Sequence, residues 1–148
     1  MARASSIEPQ AESVLEILAA QCADLEDLLD LARRETTAAE QGNFEELMRI
    51  TSVRATLGER LEVYHRQIAE MRARMGEAGE PAFRSAMAER AVALAVDIQT
   101  QDARTRPLLA AHRDEAAAAL AHLSQTRRHV SAYLRDGRSV SVACDQRV

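Results

Sequence analysis

Glu62 and His65 stand three residues apart, the Glu-x-x-His spacing that di-metal four-helix bundles use twice to aim a carboxylate and an imidazole at one site. The element occurs once in this chain. Its neighbours Leu61 and Tyr64 fall on an apolar stripe, which turns Glu62 and His65 toward the helix flank and water. His112, His122 and His129 supply further imidazoles, and His122 and His129 share a face at a separation of seven. No cysteine or carboxylate cluster joins them at the spacing a zinc site takes. Cys22 would be a nucleophile beside a suitable base, but a thiol on a heptad stripe is ordinarily an inert core residue. No glycine-rich phosphate loop is present. The chain is therefore expected to be no enzyme and to need no metal or cofactor.

Arg54 is a different kind of outlier, a charge inside the most regular apolar stripe of the sequence. Either it fixes helix register through a buried contact, or its stem packs while its head reaches water. The second, simpler reading is the one expected. The acidic run Asp24, Glu26, Asp27 and Asp30 reads as a solvated helix face.

The elements that position these residues are helices. Apolar residues make up 47% of the 148, aromatics only 3%, and three Pro with five Gly leave too little turn chemistry for a multi-strand sheet. The expected fold is all-α, an antiparallel bundle or coiled coil of three long helices at about 9–41, 44–75 and 81–134. These form one domain over 1–136, followed by a flexible tail at 137–148. Leu15, Leu18, Cys22, Leu25, Leu29 and Ala32 mark the first stripe. Gly42 closes that helix, and Asn43 with Glu46 has the pattern of a capping box for the next. Leu47, Ile50, Arg54, Leu57, Leu61, Tyr64, Ile68, Met71 and Met75 then follow in steps of three and four. A second break spans 76–81.

Phe83, Met87, Ala91, Leu94 and Ile98 restart the pattern, which becomes polar at Asp102 and Thr105. Pro107 is expected to kink or briefly break the helix, because it lacks a donor and crowds the preceding turn. The last stretch, Leu109, Ala116, Leu120, Leu123, Val130 and Leu134, is thin and interrupted by Arg127. It is the part most open to a partner, with small residues at 116–119 allowing close helix approach. Asp136 and Gly137 make a natural stop.

The formal charge is −4, and all nineteen basic residues are Arg. Phosphate backbones are bound by clustered positive charge, so no nucleic acid partner is expected. No run approaches the roughly 20 apolar residues that span a bilayer, and residues 1–10 lack the apolar stretch of a signal peptide. A cytoplasmic protein with no membrane insertion and with reduced Cys22 and Cys144 is expected.

The residues around the first turn, Glu35, Ala38, Ala39, Gly42, Asn43, Phe44 and Leu47, followed by Arg49, Ile50, Thr51, Arg54, Leu57 and Leu61, resemble the FlgN family of flagellar export chaperones. Arg54 stands where that family usually has Lys. Tyr133, Asp136 and Gly137 resemble its closing Tyr-x-x-Asp-Gly element. In place of the family's paired asparagines before two leucines, this chain has Asp102 and Thr105 before Leu108 and Leu109, with Pro107 inserted. The resemblance implies a chaperone that binds hook-filament junction (hook-associated) proteins before export and brings them to the export gate of the flagellar type III secretion system. It places gate docking at Tyr133, Asp136 and Gly137. Client binding fits the thin stripe, since a client's helix is covered by a groove or helix face. The alternative is a coiled-coil scaffold or adaptor that pairs with itself as a homodimer.

Overall fold

A computed structural model describes the backbone of residues 7–145 and the side chains of residues 10–136. Within them the chain forms α1 (Ile7–Gln41), α2 (Phe44–Met75), a 3-10 turn (Gly76–Gly79), the single turn α3 (Glu80–Phe83) and the 60-residue α4 (Ala86–Asp145), with no strand among the described residues. α1 starts two residues ahead of the expected Pro9. The chain divides into two compact units, Met1–Leu108 and Leu109–Val148.

Both ends of the first turn are satisfied by short-range bonds. Gly42 takes φ 63°, a conformation that costs glycine nothing. Its N–H donates to Ala39 O at 3.2 Å while the Asn43 N–H donates to Ala38 O at 2.9 Å. This is the paired Schellman closure of α1. Asn43 Oδ1 accepts from the Glu46 N–H at 3.1 Å and so caps α2. The expected capping box is only half formed, because the Asn43 N–H is already used. The Glu46 carboxylate instead accepts from Arg34 at 2.5 Å and Arg49 at 2.6 Å, tying α1 to α2 across the turn. Those hydrogen bonds, Arg49 first, hold its carboxyl below the ordinary value.

The second break is built by close approach. Gly79 is buried, and a Cβ there would lie 2.7 Å from Met75 Cβ and 2.9 Å from the Phe83 ring. The Arg72 guanidinium sits over that ring, 4.9 Å from its centroid. α4 begins at Ala86 rather than near 81, with Ser85 Oγ accepting from the Ala88 N–H at 3.4 Å.

In the first unit the long helices meet in three apolar clusters. Val14, Leu18, Met75 and Phe83 make one end. Cys22, Leu25, Leu29, Ala91, Leu94 and Ile98 make the middle. Ala38, Ala39 and Leu47 make the turn end, with Leu108 packed against them. Val14 rather than Leu15 joins the core, since it lies four residues before Leu18 on the inward face; Leu15 is exposed. Leu61, Tyr64, Ile68 and Met71 are only half-buried.

Between the middle and turn clusters lies a polar layer. Arg54 Nη2 donates to both Asp102 oxygens at 2.8 and 2.9 Å, and its Nη1 bonds Glu35. Only 20% of the Arg54 side chain and 13% of Glu35 is accessible. The expectation of a water-reaching head is therefore corrected: Arg54 is the contact that joins α1, α2 and α4. Burial works against its charge, but the hydrogen bond to Asp102 and the field of Glu35 leave its pKa raised. One turn along, the Thr36 and Thr105 hydroxyls meet at 2.7 Å, and Gln101 Nε2 donates to Thr36 at 2.6 Å. The acidic face is solvated at Glu26, Asp27 and Asp30, as expected, but not at Asp24. Asp24 is buried and accepts a two-pronged bond from Arg60, one prong at 2.8 Å.

α4 crosses Pro107 without a break. Pro107 and Ala103, whose carbonyl loses its helical donor, are both exposed, so water can serve that carbonyl. The expected stop at Asp136 and Gly137 is not taken either, and the helix runs to Asp145. One interior glycine costs a helix about 0.5–1 kcal/mol relative to alanine, and no proline or second glycine follows it. Residues 146–148 of the expected tail lie outside the described residues.

Candidate partner-binding surface

The residues first considered for chemistry are not gathered by the fold. Glu62 and His65 are exposed. Among the described residues, no three His, Cys, Asp or Glu side chains cluster as a metal ion would require. Cys22 is buried, and its Sγ–H donates to Met87 O at 3.3 Å. Burial pushes the thiol above its ordinary value, against the opposing pull of Arg90. A neutral, enclosed thiol is a poor nucleophile.

Among the described residues, two apolar surfaces are extended enough to meet a partner. The first, in the unit ending at Leu108, is a groove of about 700 Å³ over Leu25, Leu61, Ile68 and Val92, with Glu62 and His65 at its rim. The second is the distal part of α4. No described side chain from 109 to 136 is buried. Leu120 is 66% exposed, Leu123 63% and Leu134 61%, with Leu109, Ala116 and Val130 exposed on the same face. The steps from 116 through 120, 123, 127 and 130 to 134 alternate four and three, so these residues form one narrow seam along the helix.

Tyr133 is 80% exposed on one flank of the seam, the flank that also carries His122 and His129. Asp136 is exposed one turn on, and Gly137 continues the helical backbone rather than ending it. Arg127 lies in the seam, and Arg128 and Arg135 lie on the flank opposite Tyr133. In the sequence Arg127 stands out only as an interruption of the stripe, and Arg128 and Arg135 are hidden by the overall charge of −4. Among the described residues no helix is long and apolar enough to cross a membrane.

A protein-family model described as "Flagellar protein FliT" matches residues 22–135. The chain belongs to the FliT family. It is thus a flagellar export chaperone by family, as the FlgN likeness implied, although FlgN is a related family and not the same one. The FliT match runs from Cys22 in the middle core to Arg135, taking in the hairpin from Cys22 onward, the polar layer and the whole distal seam with Tyr133. It stops short of Asp136 and Gly137. No curated protein and no solved structure matches the chain.

Proposed function

We propose that this FliT-family chain is a cytoplasmic, non-enzymatic export chaperone that holds hook-filament junction (hook-associated) proteins before export, on the distal seam of α4. Leu109, Ala116, Leu120, Leu123, Val130 and Leu134 contact the client, and the flank at Tyr133, Asp136 and Gly137 meets the export gate. The observation that supports this reading is the exposure of an ordered heptad seam. Isolated surface leucines need no explanation, whereas an aligned row of them is apolar area that a partner helix can cover. A chaperone must also release its client, and a single helix face without an enclosed pocket suits moderate affinity.

The test is export itself. In the source bacterium with this gene deleted, hook-associated proteins should fall in the culture supernatant while hook subunit export continues. Unchanged levels of every hook-associated protein would remove the client assignment.

A further inference from the structure

The seam is not purely apolar, and its charges are specific. One of its two rows reads Arg113, Leu120, Arg127, Leu134, so an arginine alternates with a leucine. Arg113 has its own partner, bonding Asp114 at 3.1 Å. Arg127, Arg128 and Arg135 make no ion pair among the described residues. From 116 to 135 there are three Arg and no Asp or Glu, a local charge of +3 in a chain of −4. Ala117, Ser124 and Ser131 border the seam on one side, Ala119 and Thr126 on the other. These borders are small enough for a second helix to approach closely, and none can neutralise a guanidinium.

We propose that the occupant of this seam is an amphipathic helix from another protein that carries carboxylates beside its apolar row, facing Arg127 and the flank of Arg128 and Arg135. This rests on the client reading above and gives the client its chemistry. An arginine covered by an apolar partner loses water without gaining a charge, which is costly. A carboxylate on the partner offsets that loss and forms the two-pronged bond guanidinium favours. A second copy of the chain does not provide it. In parallel pairing Arg127 meets its own copy, and in antiparallel pairing centred on Leu120 and Leu123 it faces Ala116. A lipid surface fits less well, because interfacial helices present a broad apolar face rimmed with many cations, and this seam is narrow with mostly uncharged borders.

The test uses the full chain and two fluorescent helical peptides that share one leucine heptad row, with Glu at the flanking positions in one and Gln in the other. The Glu peptide should bind about tenfold more tightly at low salt, an advantage that shrinks at high salt. Arg127→Glu with Arg128→Glu should remove the preference while circular dichroism stays unchanged. Equal affinity for the two peptides, with both lost in Leu120→Asp/Leu123→Asp, overturns the acidic-partner inference and leaves the seam as a binding face. Failure of the wild-type chain to bind either peptide overturns the seam reading as well. Two further results would reassign the occupant and so overturn the inference. One is a dimer in sedimentation equilibrium that Leu120→Asp/Leu123→Asp dissociates. The other is binding to phosphatidylglycerol but not phosphatidylcholine vesicles that Arg127→Glu abolishes.

Discussion

Arg54 of α2 grips both carboxylate oxygens of Asp102 of α4, at 2.8 and 2.9 Å, and so fixes where along the hairpin the third long helix lies. Slipping α4 by one turn would separate this pair and also the Thr36–Thr105 contact. The layer thus sets register where apolar clusters alone would tolerate sliding. Arg54→Ala leaves Glu35 and Asp102 partly buried without their cation, and should cost about 2–4 kcal/mol. Arg54→Met with Glu35→Gln and Asp102→Asn should cost less than the single change. Urea denaturation followed by circular dichroism compares them, and a triple variant weaker than Arg54→Ala would deny the layer this role.

Gly79→Ala tests the tight approach at the second break. The new methyl collides with Met75 Cβ, a backbone-anchored atom that cannot swing aside. A loss of about 1–3 kcal/mol is expected from such overpacking. Gly58, where a Cβ meets nothing within 4 Å, provides the control. Its change to Ala in mid-helix should stabilise by up to about 1 kcal/mol.

Glu46 links stability to acid. Its carboxyl is held below the ordinary 4.5 by hydrogen bonds from Arg49 and Arg34. A depressed folded-state pKa means that the contribution is present above 4.5 and is lost as pH falls through the lower folded value. Melting temperatures of wild type and Glu46→Gln should therefore differ at neutral pH and converge in acid. A gap that widens as pH falls from 4.5 would contradict the sign.

Much of this fold is legible in the sequence because heptad spacing and the Gly42–Asn43 turn act locally. Leu18, Cys22, Leu25, Leu29, Ala32, Ile50, Leu57, Ala91, Leu94 and Ile98 are buried as their stripes require. The pairing of Arg54 with Asp102 was not legible, since the two lie 48 residues apart and periodicity does not name a partner. The sequence also overstated local breakers. Pro107 lies on an exposed face, and Gly137 lacks the following turn residues that would make it a stop. The distal seam was visible as a weak stripe open to a partner, and Leu120, Leu123, Val130 and Leu134 are exposed. Periodicity alone does not separate the two cases, because the same spacing serves a bundle helix and a free binding face.

Tyr133→Ala tests the proposed separation of gate docking from client holding. With 80% of the residue exposed, Tyr133→Ala should shift the melting temperature by no more than about 2 °C. Client affinity should persist while pull-down by the cytoplasmic domain of the gate weakens. Joint loss of stability and client binding with gate binding intact would mark Tyr133 as structural.

The most direct test of the central claim is the affinity of Leu120→Asp/Leu123→Asp for a purified hook-associated protein, measured by titration calorimetry beside its circular dichroism spectrum. The account predicts that binding falls by about 100-fold or more, as hot-spot loss does, while helicity and the melting temperature of the bundle stay near wild type. Wild-type affinity in the double variant would contradict it and move client binding to the groove over Leu25, Leu61, Ile68 and Val92.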